Sequence, residues 1–302
     1  MQSRLLSYFL VVYDCQNIST AAEILRISQP AISKSIQNLE ASLSVQLFER
    51  KPGGLVRTHY ADILARHVRM MDIEYRHALA EIESVSEGGE GLIRIGAGPI
   101  WYSCILPDVI SEFLKLWPST RIKLQSGVIS TLLPGLQSGH FDLICTSFDF
   151  PNHAGITKEP ILEINHVVIA RPDHPLAGKE AVTPEEMIRY PWIVLAEDHV
   201  GTGRILSYFA AHQCSPPRFA IETSSPTNMY EMLLRGDYLA QIPERLFEIA
   251  VRHGIRQLPI VGTFWETMAG VCYRQSENRL AVHSRFIDAI RRKGIELKNK
   301  PL

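Results

Sequence analysis

Residues 18–50 read ISTAAEILRISQPAISKSIQNLEASLSVQLFER, and this stretch decides the fold of the N-terminal region. Thr20 and Glu23 have the spacing of a capping box, so a helix is expected to begin at Ser19 or Thr20. A short turn then leads to Ser28, a favourable N-cap residue for a second helix. Two capped helices joined by a three-residue turn predict a helix-turn-helix.

The second helix has one apolar face and one polar face. Its apolar residues recur at spacings of 4, 3 and 4, which predicts a buried stripe of Ile32, Ile36, Leu39 and Leu43. The opposite face presents amide, hydroxyl and cationic groups and no acid, and these residues are Ser28, Gln29, Pro30, Ser33, Lys34 and Gln37. Taken alone, such a face is also typical of a solvated helix. Together with the two caps and the short turn, it indicates a recognition helix that enters the major groove of DNA.

Two short extended segments follow, on either side of a Pro-Gly-Gly tip at residues 52–54. They predict a hairpin wing, on which Arg50, Lys51 and Arg57 would meet the DNA backbone. The charge distribution is consistent with this. Residues 1–70 hold eight Lys or Arg and five acids, a net charge of +3, although the whole chain has a formal charge of −1. A basic N-terminal region is expected where only that region contacts phosphates.

Residues 59–90 are predicted to form a linker helix and a hinge. Apolar or small residues recur every 3.5 residues over three heptads, at Leu64, Val68, Met71, Tyr75, Ala78, Ile82 and Val85. This period is typical of a coiled-coil seam and favours dimerisation through the helix. The alternative is an amphipathic helix that packs on its own domain. The Gly-rich stretch 86–91, which follows the helix, is predicted to be the hinge.

From residue 91 the pattern changes to alternating strands and helices. The strands are predicted at Leu92–Gly96, Arg121–Leu124, Phe141–Cys145, His166–Ala170, Trp192–Leu195, Arg218–Glu222, Tyr238–Ile242 and Met268–Tyr273. Helices are predicted at Ile105–Leu116 and Leu132–Gln137. This alternation indicates an α/β domain with a mostly parallel sheet, whose ligands lie at the carboxyl ends of the strands.

The segments Ser19–Leu25, Ser28–Ser33, Leu39–Glu40 and Leu47–Arg50, with their spacing, resemble the winged helix-turn-helix of LysR-type transcriptional regulators. The resemblance implies the following organisation. An all-α-type winged helix-turn-helix would occupy residues 1–58 and a linker helix residues 59–90. A two-lobed domain similar to type II periplasmic binding proteins would occupy residues 91–302, with lobe one at 91–164 and 268–302 and lobe two at 165–267.

The resemblance also implies an effector site in the cleft between the lobes. By position, its residues are Ile100, Trp101, Tyr102, Ser103, Val128, Ile129, Ser130, Thr202, Arg204, Ser225 and Thr227. Arg204 would pair with an anion, while Trp101 and Tyr102 would flank a ring. Members that bind carboxylates commonly have a hydroxyl residue where Ile100 and Ile129 stand, which argues against a simple aromatic acid.

The implied partners are double-stranded promoter DNA, a small-molecule effector, RNA polymerase and further copies of the chain in a homodimer or homotetramer. The sequence does not determine which effector binds, which genes are regulated, or whether the outcome is activation or repression. Neither a cofactor nor a metal is implied, and the five scattered cysteines form no CxxC pair. A cytoplasmic location is expected, since the sequence has no apolar run long enough for a membrane and no signal-peptide pattern.

Three other functions have less support from the sequence. An enzyme lacks support because the chain has no nucleophile elbow, HExxH pair or Gly-rich phosphate loop. A free-standing solute-binding protein would need an export signal and would have no use for the N-terminal region. A redox switch within lobe two lacks a partner thiol, since Cys214 is the only cysteine between residues 165 and 267.

Overall fold

The computed structural model describes residues 4–51, 54–86, 91–275 and 280–299. The chain packs as two compact units, Met1–Glu83 and Ser84–Leu302. No described helix is both long enough and apolar enough to cross a membrane.

The first unit contains four helices and a two-stranded hairpin. The helices are α1 (Arg4–Cys15), α2 (Ile18–Leu25), α3 (Gln29–Leu43) and α4 (His59–Ser86). The strands β1 (Phe48–Lys51) and β2 (Gly54–Arg57) pair antiparallel, with Phe48 opposite Arg57. The predicted helix-turn-helix and the predicted hairpin are therefore confirmed, although the tip residues 52 and 53 lie outside the described residues.

Helix α2 begins earlier than its sequence pattern suggests. Asn17 is the N-cap, and its side-chain oxygen accepts hydrogen bonds from the N–H groups of Ser19 and Thr20 at 2.8 and 3.1 Å. The predicted capping box at Thr20 is therefore wrong, because an extended Asn17 with a short acceptor side chain satisfies the first N–H groups instead. Ser28 does occupy the N-cap position of α3, but its side chain makes no capping bond.

The core of the first unit is formed where α1, α2 and α3 meet the hairpin. The buried residues include Phe9, Ile32, Ile36, Leu39 and Leu47, so the predicted apolar stripe of α3 lies inside at three of its four positions. Leu43, the fourth, is 42% exposed at the end of the helix.

Helix α4 divides into two parts along the predicted seam. Val68 is fully buried and Leu64 is half-buried, and both belong to the core of the first unit. Met71, Tyr75 and Ile82 are exposed. The alternative of a helix packed on its own domain is thus correct for the first turns, while the later seam positions face outward. The side chain of Val85 lies outside the described residues.

The second unit is an α/β domain built around one nine-stranded sheet. Its helices are α5 (Leu106–Leu116), α6 (Ile129–Gln137), α7 (Pro184–Met187), α8 (His199–Ala211), α9 (Pro226–Leu233), α10 (Phe247–Arg252) and α11 (Ala281–Asn299). Its strands are β3 (Leu92–Ala97), β4 (Arg121–Ser126), β5 (Leu143–Ser147), β6 (Ile156–Ala170), β7 (Trp192–Leu195), β8 (Phe219–Thr223), β9 (Leu239–Pro243), β10 (Arg256–Gln257) and β11 (Trp265–Arg274). The strand order is β4-β3-β5-β11-β6-β9-β7-β8, and β10 pairs with β6.

The sheet is mixed and not mostly parallel. Strand β3 runs parallel to β4 and β5, and β7 runs parallel to β8 and β9, as the strand–helix alternation predicts. Strands β6 and β11 run antiparallel to each other and to their other neighbours. The antiparallel pairs were missed because only part of each long strand was predicted, residues 166–170 of β6 and 268–273 of β11.

Strands β6 and β11 belong to both lobes. The predicted lobe boundaries, residues 164/165 and 267/268, fall inside these two strands, which pair from Trp265 opposite His166 to Arg274 opposite Ile156. The pairing shifts register at Gly270, where a Cβ atom would overlap the carbonyl oxygen of Glu159. A glycine is therefore required at the point where the strands approach most closely.

Candidate DNA-binding face and interlobe cavity

The polar face of α3 is presented to solvent along the first half of the helix. Ser28, Gln29, Pro30, Lys34 and Gln37 are exposed and Ser33 is half-buried, while Ile32 and Ile36 on the opposite side are buried. Between residues 28 and 37 there is no acidic residue. An acid-free face at a helix N-terminus can donate to phosphate oxygens and to base acceptors at once.

Glu40 connects the recognition helix to the wing. One oxygen of its half-buried carboxylate accepts the N–H groups of Leu47 at 2.7 Å and Phe48 at 3.1 Å. These are the residues that lead into β1. The carboxylate therefore fixes the start of the hairpin relative to α3, a contact for which the local pattern gave no signal.

The three wing cations differ in their surroundings. Lys51 is exposed and lies 3.3 Å from the carboxylate of Glu49. Arg57 lies against α1, where its Nε donates to the carbonyl oxygen of Tyr13 at 2.8 Å and its guanidinium lies 4.1 Å from the Tyr13 ring centroid. The side chain of Arg50 lies outside the described residues. Arg57 thus holds the base of the wing against α1.

A polar cluster around Tyr13 joins α1 to α4. The Tyr13 hydroxyl donates to Asp62 at 2.8 Å, and Arg69 pairs with Asp14 at 2.5 Å. Burial, followed by the hydrogen bond to Asp62, raises the pKa of Tyr13. Sequence reasoning missed this cluster because its partners are 49 and 55 residues apart.

The second unit contains a cavity of about 80 Å³ between its lobes. Lobe one contributes the ends of parallel strands β3, β4 and β5, and lobe two contributes the end of β7, the starts of α8 and α9, and β9. The lining residues include Gly98, Ile100, Trp101, Val128, Ile129, Thr146, Ser147, Ile164, His166, Leu195, Asp198, Met229, Gln241, Ile242, Leu246 and Trp265. Its place at the carboxyl ends of strands is where α/β sheets bind ligands.

Four of the eleven predicted effector residues line this cavity: Ile100, Trp101, Val128 and Ile129. The remaining seven lie outside the lining formed by the described residues, and five of them have other surroundings. Tyr102 and Ser103 are exposed on a π-helical turn, Trp101–Ile105, that buries Trp101 instead. Ser225 caps α9 by accepting the N–H of Asn228 at 3.3 Å. Thr202 and Thr227 lie in the first turns of α8 and α9.

The other two, Ser130 and Arg204, bridge the lobes. The Ser130 hydroxyl donates to the carbonyl oxygen of Glu197 at 2.6 Å, and Arg204 Nη2 donates to Asp149 Oδ1 at 2.6 Å. Glu197 has a φ of +61°, a left-handed conformation that is uncommon for a residue with a side chain. Arg204 was predicted to pair with a ligand anion, but in this structure it is paired with an acid of the protein.

Several cavity residues were missed by sequence reasoning. His166 and Trp265 face each other across β6 and β11, with parallel rings whose centroids are 3.7 Å apart. His166 Nδ1 and the Nε1 atoms of Trp265 and Trp101 are buried, and none has a hydrogen-bond partner among the described residues. Burial lowers the pKa of His166 to about 4, so its imidazole is neutral near pH 7. The only sequence signal for this pair was aromatic residues in strands.

Asp198 is the one acid in the cavity lining that the structure describes. Its carboxylate caps α8 by accepting the N–H of Gly201 at 3.0 Å, and burial raises its pKa. No Lys or Arg belongs to that lining. Within the described ranges, no group of three or more His, Cys, Asp or Glu side chains could hold a metal ion, and all five cysteines are free.

Two family models match this chain. The model of the LysR substrate binding domain covers residues 86–294, and that of the bacterial regulatory helix-turn-helix proteins of the lysR family covers residues 3–62. Among curated relatives, the HTH-type transcriptional regulator CfxR of Cupriavidus necator is 27% identical over 275 residues, which are 91% of this chain and 86% of CfxR.

Solved structures of low sequence identity have the same fold. Full-length CbnR complexed with its target DNA is 21% identical and has a TM-score of 0.57, with 97% of this chain and 100% of that chain covered. The effector binding domain of QuiR in complex with shikimate is 18% identical and has a TM-score of 0.61, with 69% of this chain and 99% of that domain covered. The full-length CbnR structure has both the N-terminal helix-turn-helix and the two-lobed α/β domain, and the QuiR structure has the two-lobed domain.

Proposed function

This chain belongs to the LysR family of bacterial transcriptional regulators, and from that premise we propose which of its residues meet DNA and how the cavity controls them. The polar face of α3 enters the major groove, with Gln29, Ser33, Lys34 and Gln37 directed to base edges and phosphates. The wing follows the adjacent backbone through Lys51. The exposed, acid-free face opposite the buried Ile32, Ile36 and Leu39 is the observation that carries this assignment.

The assignment is tested by mobility shift on an operator selected from random DNA. Gln29→Ala removes a base contact and is expected to weaken binding about 5- to 150-fold, corresponding to about 1–3 kcal/mol. Lys34→Ala is expected to weaken binding of all sequences alike and to reduce the slope of log affinity against log salt by about 1. Unchanged affinity in both variants would overturn the assignment.

Matched controls are available on the helices of the second unit. Lys115→Ala on α5 and Gln137→Ala on α6 remove the same functional groups from exposed positions. Neither is expected to change the affinity or the salt slope. A flat salt response of the unaltered protein would count against phosphate contacts by α3 and the wing together.

The exposed seam of α4 supports oligomer formation. Met71, Tyr75 and Ile82 are 51%, 44% and 65% exposed and recur with heptad spacing, so a second copy can cover them. A dimer places two recognition helices on a roughly palindromic site. Ile82→Glu is expected to shift the molar mass measured by light scattering toward the monomer, whereas Val251→Glu, which alters an exposed apolar residue of α10, is not.

Regulation is proposed to act through the interlobe cavity. A small molecule that enters it contacts both lobes, and the resulting change in lobe angle alters how the oligomer binds promoter DNA. The cavity's position at the strand ends supports this, as does the complex of the related QuiR effector domain with shikimate. Contact with RNA polymerase and a cytoplasmic location complete the proposal.

A further inference from the structure

We propose that the interlobe cavity takes a compact, uncharged molecule that has an apolar body and a hydrogen-bond acceptor, such as an amide or ketone oxygen. This inference rests on the proposed effector role of the cavity and names the chemical class of its ligand. Three sets of observations carry it: unpartnered donors, the charges of the lining, and the size of the space.

Three residues that line the cavity have a buried nitrogen without a hydrogen-bond partner among the described residues. Trp101, Trp265 and His166 all line it, and each is at least nine-tenths buried. Within the described part of the chain, neither indole Nε1 nor His166 Nδ1 has a partner at hydrogen-bonding distance and angle. An indole N–H can only donate, and a neutral imidazole donates from one of its nitrogens. A ligand oxygen is the group that satisfies such sites.

The lining does not suit an anion. Of the described residues that form it, none is Lys or Arg, and the one ionisable acid is Asp198. The nearby Arg204 is already paired with Asp149, whose side chain is 6% exposed. A carboxylate in this cavity would be buried against apolar walls and a second carboxylate, without a cation to offset its lost hydration.

A cation is disfavoured for a different reason. An ammonium or amidinium group carries only donors, so it would leave the two buried indole N–H groups unsatisfied. The face of Trp265 could attract a cation, but the Arg204 guanidinium already lies 5.8 Å from that ring centroid. An uncharged acceptor is the remaining choice.

The volume of the cavity favours a compact ligand. The cavity holds about 80 Å³, whereas a cavity that binds benzene measures about 150 Å³. Its walls are formed by branched aliphatic side chains, including Ile100, Ile129 and Ile164. A short branched amide or ketone matches these walls.

The test uses three molecules of nearly identical shape and different charge: isobutyramide, isobutyrate and isobutyramidinium. Each is titrated into the full chain at pH 7.5 and constant ionic strength, and tryptophan fluorescence and the thermal midpoint are recorded. Isobutyramide is expected to give a saturable response in both. The two ions are expected to bind at least tenfold more weakly.

Variants locate the binding in the cavity. His166→Phe keeps a ring against Trp265 but removes Nδ1, and is expected to weaken isobutyramide binding about three- to tenfold. Trp265→Phe removes an Nε1 donor, with the same expectation, and serves if His166→Phe fails to fold. His140→Phe, an exposed histidine outside the lining, is the control and should leave affinity unchanged. Asp198→Asn keeps the helix cap and is expected to narrow the preference for the amide over the carboxylate.

The outcomes separate this inference from the proposed function. Equal or tighter binding of either ion overturns the inference. So does a missing response to isobutyramide, or a response that neither ring variant changes. In each of these cases, a sequence-specific mobility shift in the same preparation leaves the DNA-binding assignment in place. Loss of that shift in a preparation that binds isobutyramide would instead overturn the assignment alone.

Discussion

The proposed DNA-binding surface of the first unit and the cavity of the second differ in how they are assembled. The surface residues of α3 fall within ten consecutive positions, 28–37, and are exposed on one side of a single helix. The cavity lining extends from Gly98 to Trp265 and combines strand ends, helix starts and two crossing strands. A surface on one helix can be predicted from the local sequence pattern, whereas a cavity depends on how distant segments pack.

The largest effect is expected from a variant that destabilises only the second unit. Gly270→Val places a Cβ against the carbonyl of Glu159, at the closest approach of β6 and β11. Since backbone must move, the free energy of unfolding is expected to fall by more than about 3 kcal/mol. Hydrogen exchange of the full chain, followed by mass spectrometry, should show lost protection after residue 91.

The control is Gly178→Val, because Gly178 lies in an exposed loop with open space around it. It is expected to leave exchange unchanged. Equal loss of protection in α1 to α3 of the Gly270→Val protein would mean that the two units do not unfold separately.

A second variant damages the local surface through a non-local contact. Glu40→Ala leaves the N–H groups of Leu47 and Phe48 without their acceptor, which is expected to cost about 2–3 kcal/mol of unfolding free energy. Urea unfolding measures this, and operator affinity should fall with it. Glu23→Ala, an exposed glutamate on α2, should change neither. If the stability and the operator affinity of the Glu40→Ala protein were unchanged, the wing would not depend on this contact with α3.

A pH titration tests the effect of burial on His166 in the cavity. Because burial lowers the pKa of His166 from 6.5 to about 4, the unfolded chain binds this proton first as the pH falls. The stability that neutral His166 preserves is complete above pH 6.5 and is lost progressively down to pH 4. At pH 5 the loss is about 2 kcal/mol. Urea unfolding should show a smaller drop between pH 7.5 and pH 5 in His166→Phe, and an equal drop in both proteins would contradict the shift.

The smallest expected effect concerns the bridge between the lobes. Arg204→Ala removes the partner of the buried Asp149, but the arginine is half exposed, so the expected loss is about 1 kcal/mol. Exchange should rise at β7 and α8 more than elsewhere. The control is Arg235→Ala, which breaks an exposed pair with Glu231. It should not change exchange at β7 or α8. Identical exchange in both variants would mean that the bridge does not hold the lobes together.

These differences explain how much the sequence could predict. The helix-turn-helix, the hairpin and most strand positions follow from periodicity, because each is defined within a few residues. The antiparallel course of β6 and β11 could not be predicted, since pairing between Ile156 and Arg274 depends on tertiary contacts. For the same reason, four of the residues that the resemblance implied line the cavity, but His166, Asp198 and Trp265 were missed.

The crossing of β6 and β11 constrains how the second unit can move. These strands are paired to each other through both lobes, and a slip of one residue would turn every side chain to the opposite face. The lobes can therefore change their arrangement by bending and twisting this ribbon, but not by sliding along it. The stacked rings of His166 and Trp265 lie on the ribbon itself. A ligand in the proposed site would lie beside this ribbon, where a small rotation gives a large displacement at the far end of each lobe.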